Sequence, residues 1–108
     1  MATTYKVLGQ SNPAAASDTT LYTVPASTET VVSTITVANL GTSGTFRIAV
    51  RPAGATIANQ HYIAYDVSVN ANDSITFTIG VTLQATDVIT VRASNTSFAF
   101  QAFGSEIA

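Results

Sequence analysis

The sequence predicts an all-β protein, a single antiparallel β-sandwich that is jelly-roll-like and has about eight strands. Three observations predict this fold. Runs of alternating apolar and polar residues fill almost the whole 108-residue chain, clusters of turn-forming residues separate the runs, and no stretch has the periodicity of an amphipathic helix. A chain of this length forms one domain, residues 1–108, in which residues 1–19 are a candidate for an extended N-terminal arm.

The first two predicted strands, residues 5–8 and 21–24, are short. Residues 11–18 between them have the composition of a loop. The three alanines at 14–16 are too few to offset the costly first turn of a helix. We therefore expect a loop between these two strands.

The third and fourth predicted strands are residues 30–39 and 46–51. In the third, period-two alternation places Val31 and Ile35 on one face. Residues 40–44 between the two strands are rich in glycine, serine and threonine, which favour turns. The pattern therefore predicts that the third and fourth strands form a β-hairpin.

Four more strands complete the prediction, and the last of them is a candidate edge strand. They are residues 61–68, 75–83, 88–93 and 98–103. The alternation in 75–83 is the longest in the chain, so this strand is expected to be continuous. Tyr65 is expected in the core. If the alternation gives the register correctly, nine further apolar side chains are buried: Ile35, Phe46, Ile48, Ile63, Phe77, Ile79, Ile89, Val91 and Phe98.

The charge balance argues against several classes of partner and cofactor. Four basic and six acidic residues give a net charge of −2, which does not supply the positive surface that nucleic acid binding needs. No apolar stretch has the length of a membrane span, and the N-terminus lacks the pattern of a secretion signal. We expect a soluble protein made in the cytosol, with no nucleic acid, membrane or cofactor partner.

The scarcity of charge suggests that part of the surface is covered by another subunit. Hydrophobic residues make up 46% of the chain and charged residues only 9%, whereas about a quarter of the residues of a typical globular protein are charged. This composition predicts a homo-oligomer. The alternative is a neutral surface built from alanine, serine and threonine.

Residue types that support catalysis or metal binding are few. The chain has no cysteine and one histidine, His61, and Asp66 is predicted to lie on the other face of the same strand. Residues 70–73 offer oxygen ligands but lack the glycine and distal glutamate of an EF-hand, so a turn is the better interpretation. No serine lies in a nucleophile elbow, and the acids are scattered. We expect no catalytic site and no metal site, although two carboxylates could still meet in space.

The candidate interface residues are Arg47, Arg51, Arg92 and Tyr62. Arg47 and Arg51 share a strand face, and Arg92 joins them if its strand lies in the same sheet. Arginine suits contacts to carboxylates of a neighbouring subunit. The alternative is that the three arginines are solvated charges that keep an apolar sheet soluble.

Four sequence blocks carry a resemblance to a known group of proteins. They are residues 6–10 (KVLGQ), 21–25 (LYTVP), 62–66 (YIAYD) and 103–106 (FGSE). In this order they resemble small virion proteins of tailed bacteriophages, in particular short all-β structural proteins of phages that infect cyanobacteria and other bacteria. The likeness spans nearly the whole chain, but it includes no motif with a chemical role.

The resemblance implies a non-enzymatic structural subunit of the virion, present in many copies. One expectation is a capsid cement or decoration protein, with the major capsid protein as partner and a trimer as the favoured oligomer. The other is a tail, baseplate or tail-fibre subunit that serves tail architecture or host attachment. Apart from the resemblance, a second hypothesis is a receptor-binding β-sandwich whose loops 84–87 or 70–73 contact host glycans, although the absence of aromatic residues from these loops argues against it. An enzyme is the third class, and it would require two converging carboxylates in a cleft.

Overall fold

The computed structural model describes residues 2–108, and within them nine strands form two antiparallel sheets. Two short 3₁₀ turns, Pro52–Gly54 and Asn59–His61, lie between the fourth and fifth strands. The strands are β1 Thr3–Ser11, β2 Thr19–Thr23, β3 Glu29–Asn39, β4 Gly44–Arg51, β5 Tyr62–Val69, β6 Ser74–Phe77, β7 Val81–Leu83, β8 Val88–Ala93 and β9 Phe98–Ile107.

The strand order is that of a jelly roll. The first sheet has the order β1-β9-β3-β6, with β7 also paired to β3, and the second has the order β2-β8-β4-β5. Since β6 and β7 lie along the same partner, they are two parts of one interrupted strand, and the fold has eight strand positions. The first position then pairs with the eighth, the second with the seventh, the third with the sixth and the fourth with the fifth. The predicted β-sandwich is confirmed.

The core lies between the two sheets and is built mainly from side chains that alternate inward. Six of the nine apolar residues predicted to be buried are buried, and Phe77 is half-buried against them. The six are Ile35, Phe46, Ile48, Ile89, Val91 and Phe98. Regular alternation therefore places the core correctly wherever the strands pair without a bulge.

Interruptions of the strands account for the predictions that were wrong. The predicted strand 75–83 breaks between Phe77 and Val81, where Gly80 has a φ of 53°. Phe77 and Val81 are four residues apart, whereas their partners on β3, Ile35 and Val32, are only three residues apart. The segment therefore contains one extra residue. Ile79 lies in the break and is exposed instead of buried.

Strand β5 contains two register shifts, and both move side chains predicted to be buried. Ile63 is an extra residue between two paired positions and is exposed. Tyr65 and Asp66 together oppose one residue of β4, and Asp66 has a φ of 51°. Tyr65 is therefore turned to solvent, and its predicted place in the core was wrong.

A similar bulge in β3 changes the inward face near its start. Ser33 is the extra residue, because Val32 and Thr34 pair with consecutive residues of β9. Val32 is consequently fully buried while Val31 faces outward. The prediction that Val31 and Ile35 share one face was wrong for this reason.

Two predicted pairings were also wrong. β3 and β4 do not form a hairpin but lie in different sheets, because β9 on one side and β6 and β7 on the other already occupy both edges of β3. The buried Asn39 supports the crossing between sheets, since its Nδ2 donates hydrogen bonds to the carbonyl oxygens of Thr42 and Val69. β9 is an interior strand between β1 and β3, not an edge strand.

The N-terminal segment considered as an arm includes a strand of the sandwich. Thr3–Ser11 forms β1, which pairs with β9 of the same chain. After it, the backbone N–H of Ala16 donates a hydrogen bond of 2.7 Å to the carbonyl of Ala93.

Candidate interaction surfaces

The outer face of the first sheet carries an apolar patch formed by Tyr5, Val7, Val31 and Phe103. Its members come from β1, β3 and β9, and Val7 lies opposite Phe103 in the pairing of β1 with β9. Tyr5 is 84% exposed and Val7 is 47% exposed. A shallow groove of about 390 Å³ is lined by three members of the patch, Tyr5, Val31 and Phe103. Such a concentration of apolar side chains on an outer face is a feature of interaction sites.

The charges near the apolar patch neutralise one another. Lys6 Nζ lies 3.2 Å from Glu106 Oε1. Strand β1 itself pairs on one side only, with β9. The patch therefore adjoins a sheet edge and carries little net charge, which suits contact with another protein surface.

The outer face of the second sheet has a different chemistry, centred on Arg47, Tyr62, Tyr65 and Asp66, which we call the tyrosine-arginine cluster. Arg47 Nε donates to Asp66 Oδ1 at 2.7 Å, and Arg47 Nη2 donates to Asp66 Oδ2 at 3.3 Å. The Arg47 guanidinium also lies 4.1 Å from the centroid of the Tyr65 ring. The hydrogen bonds from Arg47 lower the pKa of Asp66 below its ordinary value, and those to Asp66 raise the pKa of Arg47.

Arg92 lies directly opposite Arg47 in the pairing of β4 with β8. Two like charges in this position repel each other unless acids compensate. Asp66 compensates Arg47, and Asp18 lies 3.5 Å from Arg92 Nη1. The two arginines are thus brought together on one face, as their sequence positions allow when the strands share a sheet.

Arg51 has a structural role in the loop that follows β4. Its guanidinium donates hydrogen bonds to the carbonyls of Gly54 and Ala55 and to Thr90 Oγ1. These contacts hold the 52–61 connection over the sheet, and Ala49 and Thr90 beneath it are buried although they face outward. The Arg51 guanidinium therefore holds a loop of its own chain, unlike the guanidinium groups of Arg47 and Arg92.

Sequence reasoning missed Tyr65 and Asp66 as members of the second-sheet surface. Tyr65 was expected in the core and Tyr62 at an interface, yet their rings lie 4.8 Å apart in an edge-to-face arrangement. The bulge in β5 brings them together. No glycine marks this bulge, although aspartate is among the few residues that tolerate the left-handed backbone of Asp66.

Two buried ionisable groups, His61 and Asp87, have structural partners. His61 is buried, and its Nδ1 accepts a hydrogen bond from the backbone N–H of Ala58 at 3.0 Å. Buried Asp87 accepts hydrogen bonds from the backbone N–H groups of Ala53 and Gln84. Within residues 2–108, no three histidine or acidic residues cluster as they would to hold a metal ion.

A polar network, which we call the polar latch, joins the two sheets through Tyr22, Thr30, Glu106 and Lys6. The Tyr22 hydroxyl on β2 donates to Glu106 Oε2 on β9 and lies 2.8 Å from Thr30 Oγ1 on β3. Burial and the contact with Glu106 raise the pKa of Tyr22 to about 12. The hydrogen bond from Tyr22 lowers the pKa of Glu106.

In the part of the chain described, no helix combines the length and apolar character that crossing a membrane requires. Comparison of the chain with protein-family models, with curated proteins and with solved structures finds no match.

Proposed function

We propose that this protein is a non-enzymatic structural subunit of a tailed-phage virion, specifically a capsid cement or decoration protein. The observation that carries the proposal is the apolar patch beside the free edge of β1. Tyr5, Val7, Val31 and Phe103 expose apolar surface where covering by another subunit would be favourable. The resemblance of four sequence blocks to phage virion proteins supplies the biological setting.

In this mechanism the apolar patch contacts either a second copy of the chain or the major capsid protein. Specific protein interfaces bury about 800 Å² on each partner, so the patch would form the centre of a larger contact with a polar rim. Repeated over a shell, such contacts stabilise the assembled lattice because they exist only when neighbouring subunits are in place. A trimer around a symmetry axis is the favoured arrangement.

The first test is the stability of particles with and without the protein. We expect particles that lack it to release DNA at lower temperature, and added purified protein to restore the temperature. A Val7→Asp protein should fail to restore it, because the charge would be buried in the contact. Ile63→Asp is the matched control, since Ile63 is 43% exposed but lies on the other sheet. Equal DNA release with and without the protein would refute the cement function.

The second candidate is a tail, baseplate or tail-fibre subunit, and the tyrosine-arginine cluster favours it. Exposed tyrosine and arginine side chains are frequent in recognition surfaces, and this cluster faces away from the apolar patch. Electron cryo-microscopy of purified virions separates the two candidates. Density over joints between capsomers would support the capsid function, whereas density at the tail would support the second candidate.

A further inference from the structure

A second groove, of about 350 Å³, opens on the outer face of the second sheet and is lined by Asn59, Tyr62 and Tyr65. The two tyrosine rings meet at 84° with their centroids 4.8 Å apart, so they form the two sides of an aromatic corner. Tyr65 is 54% exposed. Aromatic side chains that combine an apolar ring with a polar end are suited to ligands that are themselves partly polar.

The corner is held in place before any ligand arrives. Arg47 lies over the Tyr65 ring at 4.1 Å, and two hydrogen bonds to Asp66 fix the guanidinium. The bulge that turns Tyr65 to the surface has a left-handed backbone at Asp66, a conformation that aspartate adopts more readily than most residues other than glycine. A rigid corner loses little entropy on binding a ligand.

The chemistry of the corner fits a sugar ring. A pyranose has faces rich in C–H groups, which pack on aromatic rings, and hydroxyls around its rim that exchange hydrogen bonds with planar polar groups. Here Tyr62 and Tyr65 supply the apolar sides, and the Asn59 amide supplies a polar group beside them. A phosphate-bearing ligand such as a nucleotide would find no net positive charge here, because Asp66 and Asp18 offset the charges of Arg47 and Arg92.

A second depression extends the surface on the other side of the Arg47–Asp66 pair. It measures about 250 Å³, and its polar lining includes Thr45, Ser94 and Arg92 as well as this pair. Arg92 makes only a long contact of 3.5 Å with Asp18, so most of its N–H donors remain for a ligand. Hydroxyl and guanidinium groups match the hydroxyls of a neighbouring sugar.

From these two adjoining sites we propose that the outer face of the second sheet binds an oligosaccharide, with one pyranose ring in the Tyr62–Tyr65 corner and the next beside Arg92. This function is independent of the apolar patch on the first sheet. A subunit of the virion could carry both, since the two surfaces belong to opposite faces of the sandwich. Each is tested by a different measurement.

The test is NMR titration of the protein, with its tyrosine rings labelled with carbon-13, against maltohexaose, cellohexaose, mannohexaose and chitohexaose at millimolar concentration. We expect at least one of these probes to shift the ring signals of Tyr62 and Tyr65 and to receive saturation transfer from the protein. Tyr65→Ala should weaken that binding by about tenfold or more, as loss of a central aromatic contact does. Tyr65→Phe should retain most of it, because the ring remains.

Tyr5→Ala is the matched control, because Tyr5 is 84% exposed on the other sheet, and it should bind the probe as the wild type does. The NMR spectrum of each variant reports whether it is folded. If none of the four probes shifts the tyrosine signals, or if Tyr5→Ala weakens binding as much as Tyr65→Ala, the proposal is overturned. Neither result bears on the stability of particles, so the two functions can fail separately.

Discussion

The two ends of the sandwich are closed by different chemistry. At one end, Phe46, Phe98 and Phe100 are fully buried, and Phe77 packs against them. The ring of Phe46 lies 6.0–6.3 Å from each of the other three, at angles favourable for aromatic pairs. The first sheet supplies three of these rings and the second sheet supplies Phe46, so these side chains make an apolar contact between the sheets. Buried Asn39, which pairs with Phe98, adds one hydrogen bond to the Val69 carbonyl of the second sheet.

At the other end the polar latch occupies the same position between the sheets. Glu106 lies six residues beyond Phe100 on β9, about 20 Å along the strand. Here Tyr22 from the second sheet reaches Thr30 and Glu106 on the first. No buried side-chain nitrogen or oxygen among residues 2–108 is without a hydrogen-bond partner, so the network is complete.

Because the two ends differ in chemistry, substitutions at each should lower the stability for different reasons. An apolar end loses stability in proportion to the volume and contacts removed. A polar end loses stability when one member leaves another without a partner, even if almost no volume changes. The aromatic end should therefore be sensitive to size, and the latch should be sensitive to single atoms and to pH.

The largest effect is expected for Phe46→Ala at the aromatic end. Phe46 is 1% exposed and contacts three other phenylalanine rings, so the substitution should lower the free energy of unfolding by about 3–5 kcal/mol. Urea unfolding followed by circular dichroism measures the change. Phe77→Ala should cost less because Phe77 is only half-buried. An equal cost at both positions would show that Phe46 is not the centre of this cluster.

A smaller effect is expected for Tyr22→Phe in the polar latch. The substitution removes one oxygen and leaves the partly buried Glu106 carboxylate and the Thr30 hydroxyl without it. The free energy of unfolding should fall by about 1–3 kcal/mol. Tyr5→Phe is the matched control, because its hydroxyl is on an exposed ring and its removal should change little. If both substitutions have the same small effect, the latch does not stabilise the sandwich.

The latch should also make stability depend on pH at both extremes. Folding lowers the pKa of Glu106, so its contribution is present above the ordinary glutamate pKa and is lost as the pH falls through the lowered value. Folding raises the pKa of Tyr22 from 10.0 to about 12, so its contribution is present below pH 10.0 and is lost as the pH rises toward 12.

Thermal unfolding of wild type and Tyr22→Phe across this pH range measures both contributions. The variant should lose less stability than the wild type above pH 10, because it lacks the titrating phenol. Its loss in acid should also be smaller, because Glu106 has lost the hydrogen bond that contributes most to its lowered pKa. Asp66 also has a lowered pKa, so part of the acid sensitivity should remain in both proteins. Parallel pH profiles for the two proteins would contradict the attribution of this pH dependence to Tyr22 and Glu106.

Much of the aromatic end could be predicted from the sequence, whereas the latch could not. Phe46 lies between Thr45 and Arg47 on β4, and Phe98 lies two residues before Phe100 on β9. Neither strand itself carries an extra residue, so the burial of these side chains follows from period two. Tyr22 and Glu106 are 84 residues apart, and their contact depends on which strands of different sheets face each other. No local pattern encodes that pairing.

One contact on the candidate surfaces could likewise be predicted from the sequence, and another could not. The meeting of Arg47 with Arg92 follows from alternation once β4 and β8 are neighbours. The tyrosine-arginine cluster instead depends on the bulge at Tyr65 and Asp66. One extra residue reverses the face of everything beyond it, and a bulge formed without glycine leaves little trace in composition. The break at Gly80 did carry a glycine, but the regular alternation around it favoured a continuous strand.

The smallest effect is expected for substitutions of two isoleucines that the alternation places in the core. These substitutions test the bulges in β5 and the break between β6 and β7. Ile63 and Ile79 are 43% and 44% exposed, so Ile63→Thr and Ile79→Thr should each change the free energy of unfolding by no more than about 0.5 kcal/mol. Ile48→Thr is the matched control, because Ile48 is fully buried and its hydroxyl would enter the core. A loss at Ile63 comparable to that at Ile48 would mean that β5 pairs without its bulges. It would also return Tyr65 to the interior, which would dismantle the aromatic corner.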